Sequence, residues 1–259
     1  MFGNLLAWLR SNRTFLLLNF SVLLSSILAY PIRGEEILVA AAADLAPAAP
    51  SLGEAFHQVS GDTVKYAFGG SAALARQIES GAPFDVYLSA NERFVRYLAS
   101  RGRIIPESVS VYALGRLGLW SRSGRYHSLG DLTRLGFRYL AIPNPALAPY
   151  GVAARELLET QKIWARLEPK IVYGENVRQA MQFAESGNAD AAITAWSLMK
   201  TRGGVLLRES GHQPVRQTGG VVRSSKHGAA ARRFLLFLGS AKGRAMLESF
   251  GFGMPAQAR

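Results

Sequence analysis

The sequence predicts an α/β fold of two doubly wound lobes joined by a two-strand hinge. Three observations carry this reading. Short apolar runs alternate with amphipathic segments along most of the 259 residues, the pattern of parallel strands linked by helices. The alternation breaks between Val109 and Ser121, where two strand-like pieces follow one another without a helix. Late in the chain, Val205–Leu207 and Val215–Val222 regain strand character, which supplies a return crossing.

In chain order, Ile37-Leu38-Val39-Ala40 reads as a buried strand that stops at Ala41-Ala42-Ala43-Asp44. Asp44 stands where it could cap a helix with Leu45, Ala49, Leu52, Phe56 and Val59 on one face, ended by Gly61. Pro47 suits a first turn, whereas Pro50 implies a late start or a kink. Lys65–Phe68 is the next strand. Gly69-Gly70 hands it to Ser71, the expected N-cap of a helix with Leu74 and Ile78 inward and Gly81 at its end. Phe84–Leu88 is a third strand, and Asn91 caps a helix carrying Phe94, Val95 and Leu98, ended by Gly102.

The crossing pieces are Val111–Leu114 and Leu117–Trp120. Beyond them come a strand at Tyr139–Ile142, a proline-rich loop over 143–151 and a helix from about Val152. Ile171–Tyr173 is a strand, Asn176 caps a helix with Val177, Ala180, Met181 and Ala184, and Ala191–Thr194 is a buried strand. Ala229–Leu238 and Ala241–Phe250 close the chain as helices. The lobes are expected at 35–115 with 220–259, and at 116–219.

Composition narrows the function classes. Hydrophobic content of 49% with 19% charged residues describes a chain able to build proper cores. Cysteine is absent, which removes disulfides, thiolate metal sites, cysteine nucleophiles and a lipidated N-terminal cysteine. Arg10 and Arg13 precede an apolar run from Phe15 to Ala29, with no acidic residue before Glu35. A run of about 15 residues suits the apolar core of an export signal better than a spanning helix. Residues 1–34 are therefore expected to be a cleavable signal peptide, cut after Ala29 or Gly34; a retained membrane anchor is the other reading. Removing them takes away three arginines and no acid, so the formal charge falls from +12 to +9. The remaining basic residues are scattered, which favours gathering small anions and gives no nucleic-acid motif.

Four strand-to-helix turns share one design: Ala43-Asp44, Gly70-Ser71, Tyr150-Gly151 and Asn176-Val177. With a crossing near 110–120, the first two belong to one lobe and the last two to the other. Their helix N-termini would face each other across a cleft. Free backbone N–H groups and positive dipole ends meeting there would hold a small anion with no lysine or arginine in contact. Other residues carry less. His57, His127, His212 and His227 lack ligand spacing, Asp85 reads as a strand-end hydrogen bond, and Ser71 has neither a nucleophile elbow nor a nearby base. No titratable group pairs with a base, so an enzyme is not expected.

These turns and their neighbours resemble the molybdate-binding periplasmic proteins of ABC importers, within the type II periplasmic binding protein superfamily. The blocks are Ile37–Leu45, Gly70-Ser71 with Ala75–Ile78, Gly81–Ala90, Tyr112–Leu117, Asn144-Pro145 with Ala148–Gly151, Gly174–Val177 and Gly251-Phe252. They run in order over roughly 36 to 253. The resemblance implies a tetrahedral oxyanion, molybdate or tungstate, carried as cargo with no cofactor and held only by hydrogen-bond donors. The metal would meet the protein only through its oxygens, at Asp44, at the Ser71 hydroxyl and backbone N–H, and at the backbone N–H groups of Tyr150 and Val177. A tyrosine that contributes in one branch of the family is replaced here by Ala195. The resemblance further implies a periplasmic monomer that serves a permease in the inner membrane, with no nucleic-acid partner.

Asp44 departs from the family pattern, where a serine donor is common. Either its side chain turns back to cap its own helix, or its carboxylate accepts a proton-bearing ligand oxygen, as of hydrogen phosphate. The rival cargoes are phosphate, sulfate or an organic acid. A sensor domain of a transcription regulator shares the fold, but it would carry a DNA-binding helix pair where the export-like segment stands.

Overall fold

The computed structural model describes residues 34–207 and 210–256; all of the expected 1–34 export signal but Gly34 lies outside the described residues. Two five-stranded sheets form the scaffold. The first contains β1 (Glu36–Ala42), β2 (Thr63–Gly69), β3 (Val86–Ser89), β4 (Ser110–Gly115) and β10 (Val215–Val221), in the order β2-β1-β3-β10-β4. The second contains β5 (Leu117–Trp120), β6 (Leu140–Pro143), β7 (Ile171–Gly174), β8 (Ala191–Ala195) and β9 (Val205–Leu206), in the order β7-β6-β8-β5-β9.

The first sheet shows why continuous apolar runs become buried strands. Side-chain alternation sends Ile37, Val39 and Ala41 of β1 to one face, where they meet Phe56 of α1 (Ala49–Ser60) and Phe234 of α8 (Gly228–Gly239). Leu38 and Ala40 face the other way, onto Leu74 and Ile78 of α2 (Ser71–Glu79) and Leu98 of α3 (Glu92–Ser100). Phe56 and Phe234 meet edge to face at 5.1 Å, a packing worth about 1 kcal/mol beyond the area it buries. After α9 (Ala241–Ser249), Gly253 exchanges two backbone hydrogen bonds with Leu114 of β4 in this lobe.

The second sheet is also covered on both faces. Leu140, Ile142 and Ile193 pack with Leu157 and Leu158 of α5 (Pro149–Thr160) and with α6 (Trp164–Leu167). Ala141 and Ala192 meet the small residues Ala180 and Ala184 of α7 (Val177–Glu185). A single turn of helix, α4 (Leu129–Arg134), is capped by the Ser128 hydroxyl.

The crossings differ in detail from the sequence expectation. β4 and β5 are separated by Arg116 alone, so the chain passes from one sheet to the other in one residue. Both β5 and β10 run antiparallel to their sheet neighbours, because a strand arriving from the other lobe enters its sheet from the opposite end. β10 lies wholly in the first sheet, so residues 215–219, expected in the second lobe, belong with the first. Close packing explains it: a Cβ at Gly219 would come within 2.7 Å of Leu235 and 2.8 Å of Leu88, so this glycine strand is built into the first core.

Candidate functional site

The four turns expected to converge do so. Asp44, Ser71, Tyr150 and Val177 line one small cavity, together with Ala42, Gly70 and Asn176. Its volume is about 10 Å³, the room of one water molecule. The two sides touch beside it, since a Cβ at Gly70 would stand 3.6 Å from both the Asn176 side chain and the Glu175 carbonyl.

Each turn reaches the cavity through a local cause. Gly70, in extended conformation, is the N-cap of α2, so Ser71 is the first helical residue and not the cap. Its hydroxyl oxygen accepts from the Ala90 N–H at 3.1 Å, which leaves the hydroxyl hydrogen to donate, and its carbonyl accepts from the Tyr87 hydroxyl at 2.7 Å. Asn176 caps α7 by accepting from the N–H groups of Arg178 and Gln179, so the preceding N–H, that of Val177, is not taken by the cap. Helix α5 starts earlier than the expected Val152. Pro149 occupies its first turn, where a missing N–H costs nothing, and this brings Tyr150 into the turn that faces the cavity. A Cβ on Gly151 would collide with the Pro143 carbonyl at 2.2 Å, so glycine permits this close entry. The N–H groups of Ser71, Tyr150 and Val177 all lie in the first turn of a helix, where no intrahelical acceptor exists.

Of its two expected roles, Asp44 does not take the first, capping its own helix. It sits in a single 3-10 turn (Ala43–Leu45), and α1 begins only at Ala49 with Ala48 as an N-cap that makes no side-chain bond. Pro47 and Pro50 hold the true helix start back, so the Asp44 carboxylate is free to point elsewhere. It is 1% exposed. Its Oδ2 accepts from the Tyr150 hydroxyl at 2.7 Å and from Gln217 Nε2 at 2.7 Å, and its carbonyl accepts from the Ser197 hydroxyl at 2.7 Å. Its Oδ1 is buried and makes no hydrogen bond. Burial raises the Asp44 pKa from 3.8 to about 6, against the opposing pull of Tyr150, of the N–H groups of Asp44 and Leu45, and of Gln217. Burial, and then the nearby Asp44 charge, push the phenols of Tyr150 and Tyr112 well above their usual range, so both are neutral donors.

Sequence reasoning missed Gln217, Tyr112, Ser197 and Gly115. Gln217 Nε2 also reaches the Tyr150 hydroxyl at 3.2 Å, and its Oε1 accepts from Tyr112 at 3.3 Å. Gly115 makes room for the group, since a Cβ there would lie 2.2 Å from the Tyr150 oxygen. No local signal marked Gln217, which stands between Arg216 and Thr218 in a strand of mixed polarity. The other residues behave as structure. Asp85 accepts from the Leu38 N–H and the Ser225 hydroxyl, and Trp120 donates to the Arg202 carbonyl.

The family model for bacterial extracellular solute-binding proteins matches residues 37–253. The chain belongs to that family. A molybdate-binding protein of Rhodobacter capsulatus is 33% identical over 229 residues, which cover 87% of this solute-binding protein and 91% of the relative. One from Azotobacter vinelandii is 30% identical, with 89% and 94% covered. The solved structure of the Azotobacter vinelandii periplasmic molybdate-binding protein superposes with a TM-score of 0.79 at 27% identity, covering 85% of this chain and 99% of that one. A sulfate-binding protein of Mycobacterium tuberculosis shares the fold at TM-score 0.71 and 17% identity.

Proposed function

We propose that this protein captures a tetrahedral oxyanion, molybdate or tungstate, in the cavity between its lobes and delivers it to an ABC permease in the inner membrane. It acts as a periplasmic monomer after removal of residues 1–34. The observation that carries the reading is the convergence of Asp44, Ser71, Tyr150 and Val177, from four separate turns, on one cavity. The names of the relatives point to molybdate as cargo.

The chemistry is hydrogen bonding to oxygen, with no charge-to-charge contact. The Ser71 hydroxyl and the N–H groups of Ser71, Tyr150 and Val177 donate to the anion, and the N-terminal dipole ends of α2, α5 and α7 add to the field. Water-free enclosure strengthens each of these contacts. A cavity of one water's volume is too small for four oxygens around a metal, so the anion enters when the lobes part, and they close around it less fully than here. The hinge consists of the β4–β5 link at Arg116 and the return segment into β10, with lobes of 35–115 plus 215–256, and 116–214.

A thermal-shift panel of oxyanions on the mature protein tests the cargo. Molybdate and tungstate at saturating concentration should raise the melting temperature by several degrees. Stabilisation by phosphate or sulfate with none by molybdate or tungstate overturns the assignment.

A further inference from the structure

We propose that each molybdate bound brings one proton with it, held between Asp44 Oδ1 and an oxygen of the anion. The inference rests on the cargo reading above and concerns how that cargo is held. Oδ2 is saturated by Tyr150 and Gln217. Oδ1 is the carboxylate oxygen left over, buried beside the cavity that Asp44 lines, with no partner of its own. Molybdate offers only acceptor oxygens near neutral pH. Two acceptors facing each other in a buried site repel, and a single hydrogen between them turns repulsion into a hydrogen bond.

The side chains bonded to Asp44 have no hydrogen left for Oδ1. The groups facing Asp44 are Tyr150 of α5, Gln217 of β10, Tyr112 of β4 and the N–H groups of Asp44 and Leu45, with Ser197 on its carbonyl and Ser71, Asn176 and Val177 along the cavity. None carries a formal charge at neutral pH. The Tyr150 hydrogen is committed to Oδ2, and the Gln217 amide is committed to Oδ2 and Tyr150. Solvent must therefore supply the proton. Oδ1 gains it as the anion enters, the O–H then donates to a molybdate oxygen, and the proton leaves with the anion on release. A carboxylic acid thus does the work of a donor hydroxyl, but only while protonated. The raised pKa of Asp44, about 6, makes this protonation easy to reach.

Calorimetric titration of the mature protein with sodium molybdate, in several buffers of different ionisation enthalpy, counts the protons. At pH 8 the wild type should take up close to one proton per anion, and Kd should rise about tenfold from pH 7.5 to 8.5. Asp44→Asn keeps an acceptor for Tyr150 and Gln217 and presents a permanent N–H donor. It should bind with no proton uptake and with a flat pH profile. Tight, pH-independent binding by the wild type without uptake overturns the proposal and leaves the cargo assignment standing. Absence of molybdate binding by wild type at every pH overturns the cargo assignment, and this proposal with it.

Discussion

Asp44 is expensive to bury, and its cost has a pH signature. Its pKa lies at about 6 in the fold against an ordinary 3.8, so the folded state holds its proton where the unfolded state has already lost it. Stability is therefore fullest below about pH 4, falls as pH rises through the window from 3.8 to about 6, and stays low above it. The gap corresponds to roughly 3 kcal/mol. Asp44→Asn should accordingly be more stable than wild type by roughly that amount at pH 8, with the gain vanishing near pH 4. Urea unfolding at the two pH values measures it. An acidic residue kept at such cost in a ligand cavity is better explained by what it does there than by the fold. Ser71 is the opposite case, a neutral residue with two uses. Ser71→Ala removes the hydroxyl from the anion and the acceptor from the Ala90 N–H. Its Kd for molybdate should rise about ten- to hundredfold while the far-ultraviolet circular dichroism stays unchanged, since a hydrogen bond to a charged group contributes about 1.5–3 kcal/mol.

Elements bring those residues together through where they start. Helices α2, α5 and α7 each begin at the cavity, and each beginning is set by its own chemistry: an extended Gly70, a first-turn Pro149, an Asn176 cap. The same logic applies to the end of β4, where Gly115 leaves space for Tyr150 and Gln217 before the chain crosses at Arg116. Gly115→Ala places a methyl group 2.2 Å from the Tyr150 oxygen and 2.8 Å from Gln217 Nε2. The expected result is a fold destabilised by about 1–3 kcal/mol, as for an overpacked core. Molybdate affinity should fall more than tenfold, because the Asp44 side chain loses both its donors; denaturant melts and titration calorimetry read the two effects separately. A strand glycine can thus be as much a part of the site as any contact residue.

At the scale of the whole molecule, a formal charge of +12 over the full sequence, with no basic side chain among the cavity residues, divides two tasks. On the proposed reading, the surface field gathers anions and the neutral dipoles inside hold them. The association rate of molybdate should fall by roughly two- to tenfold between about 0.02 and 0.2 M sodium chloride, as screened steering requires. The dissociation rate should change little, because the buried contacts are shielded from salt. Stopped-flow tryptophan fluorescence separates them.

The alternating apolar runs, the caps at Asn91 and Asn176 and the broken rhythm near residue 115 were all legible in the sequence, because each depends on neighbours within one or two turns. The positions of the four turns were legible too, although not where each helix begins. What the sequence could not display is Asp44's commitment. Its partners Tyr150 and Gln217 lie 106 and 173 residues away, and the choice between capping and reaching across was made by packing between the lobes. The start of α5 and the membership of β10 were decided in the same way, by contacts that exist only after the sheets have formed. Local chemistry determined which turns could hold an anion; tertiary structure decided that a buried carboxylate, with one oxygen unsatisfied, would stand among them.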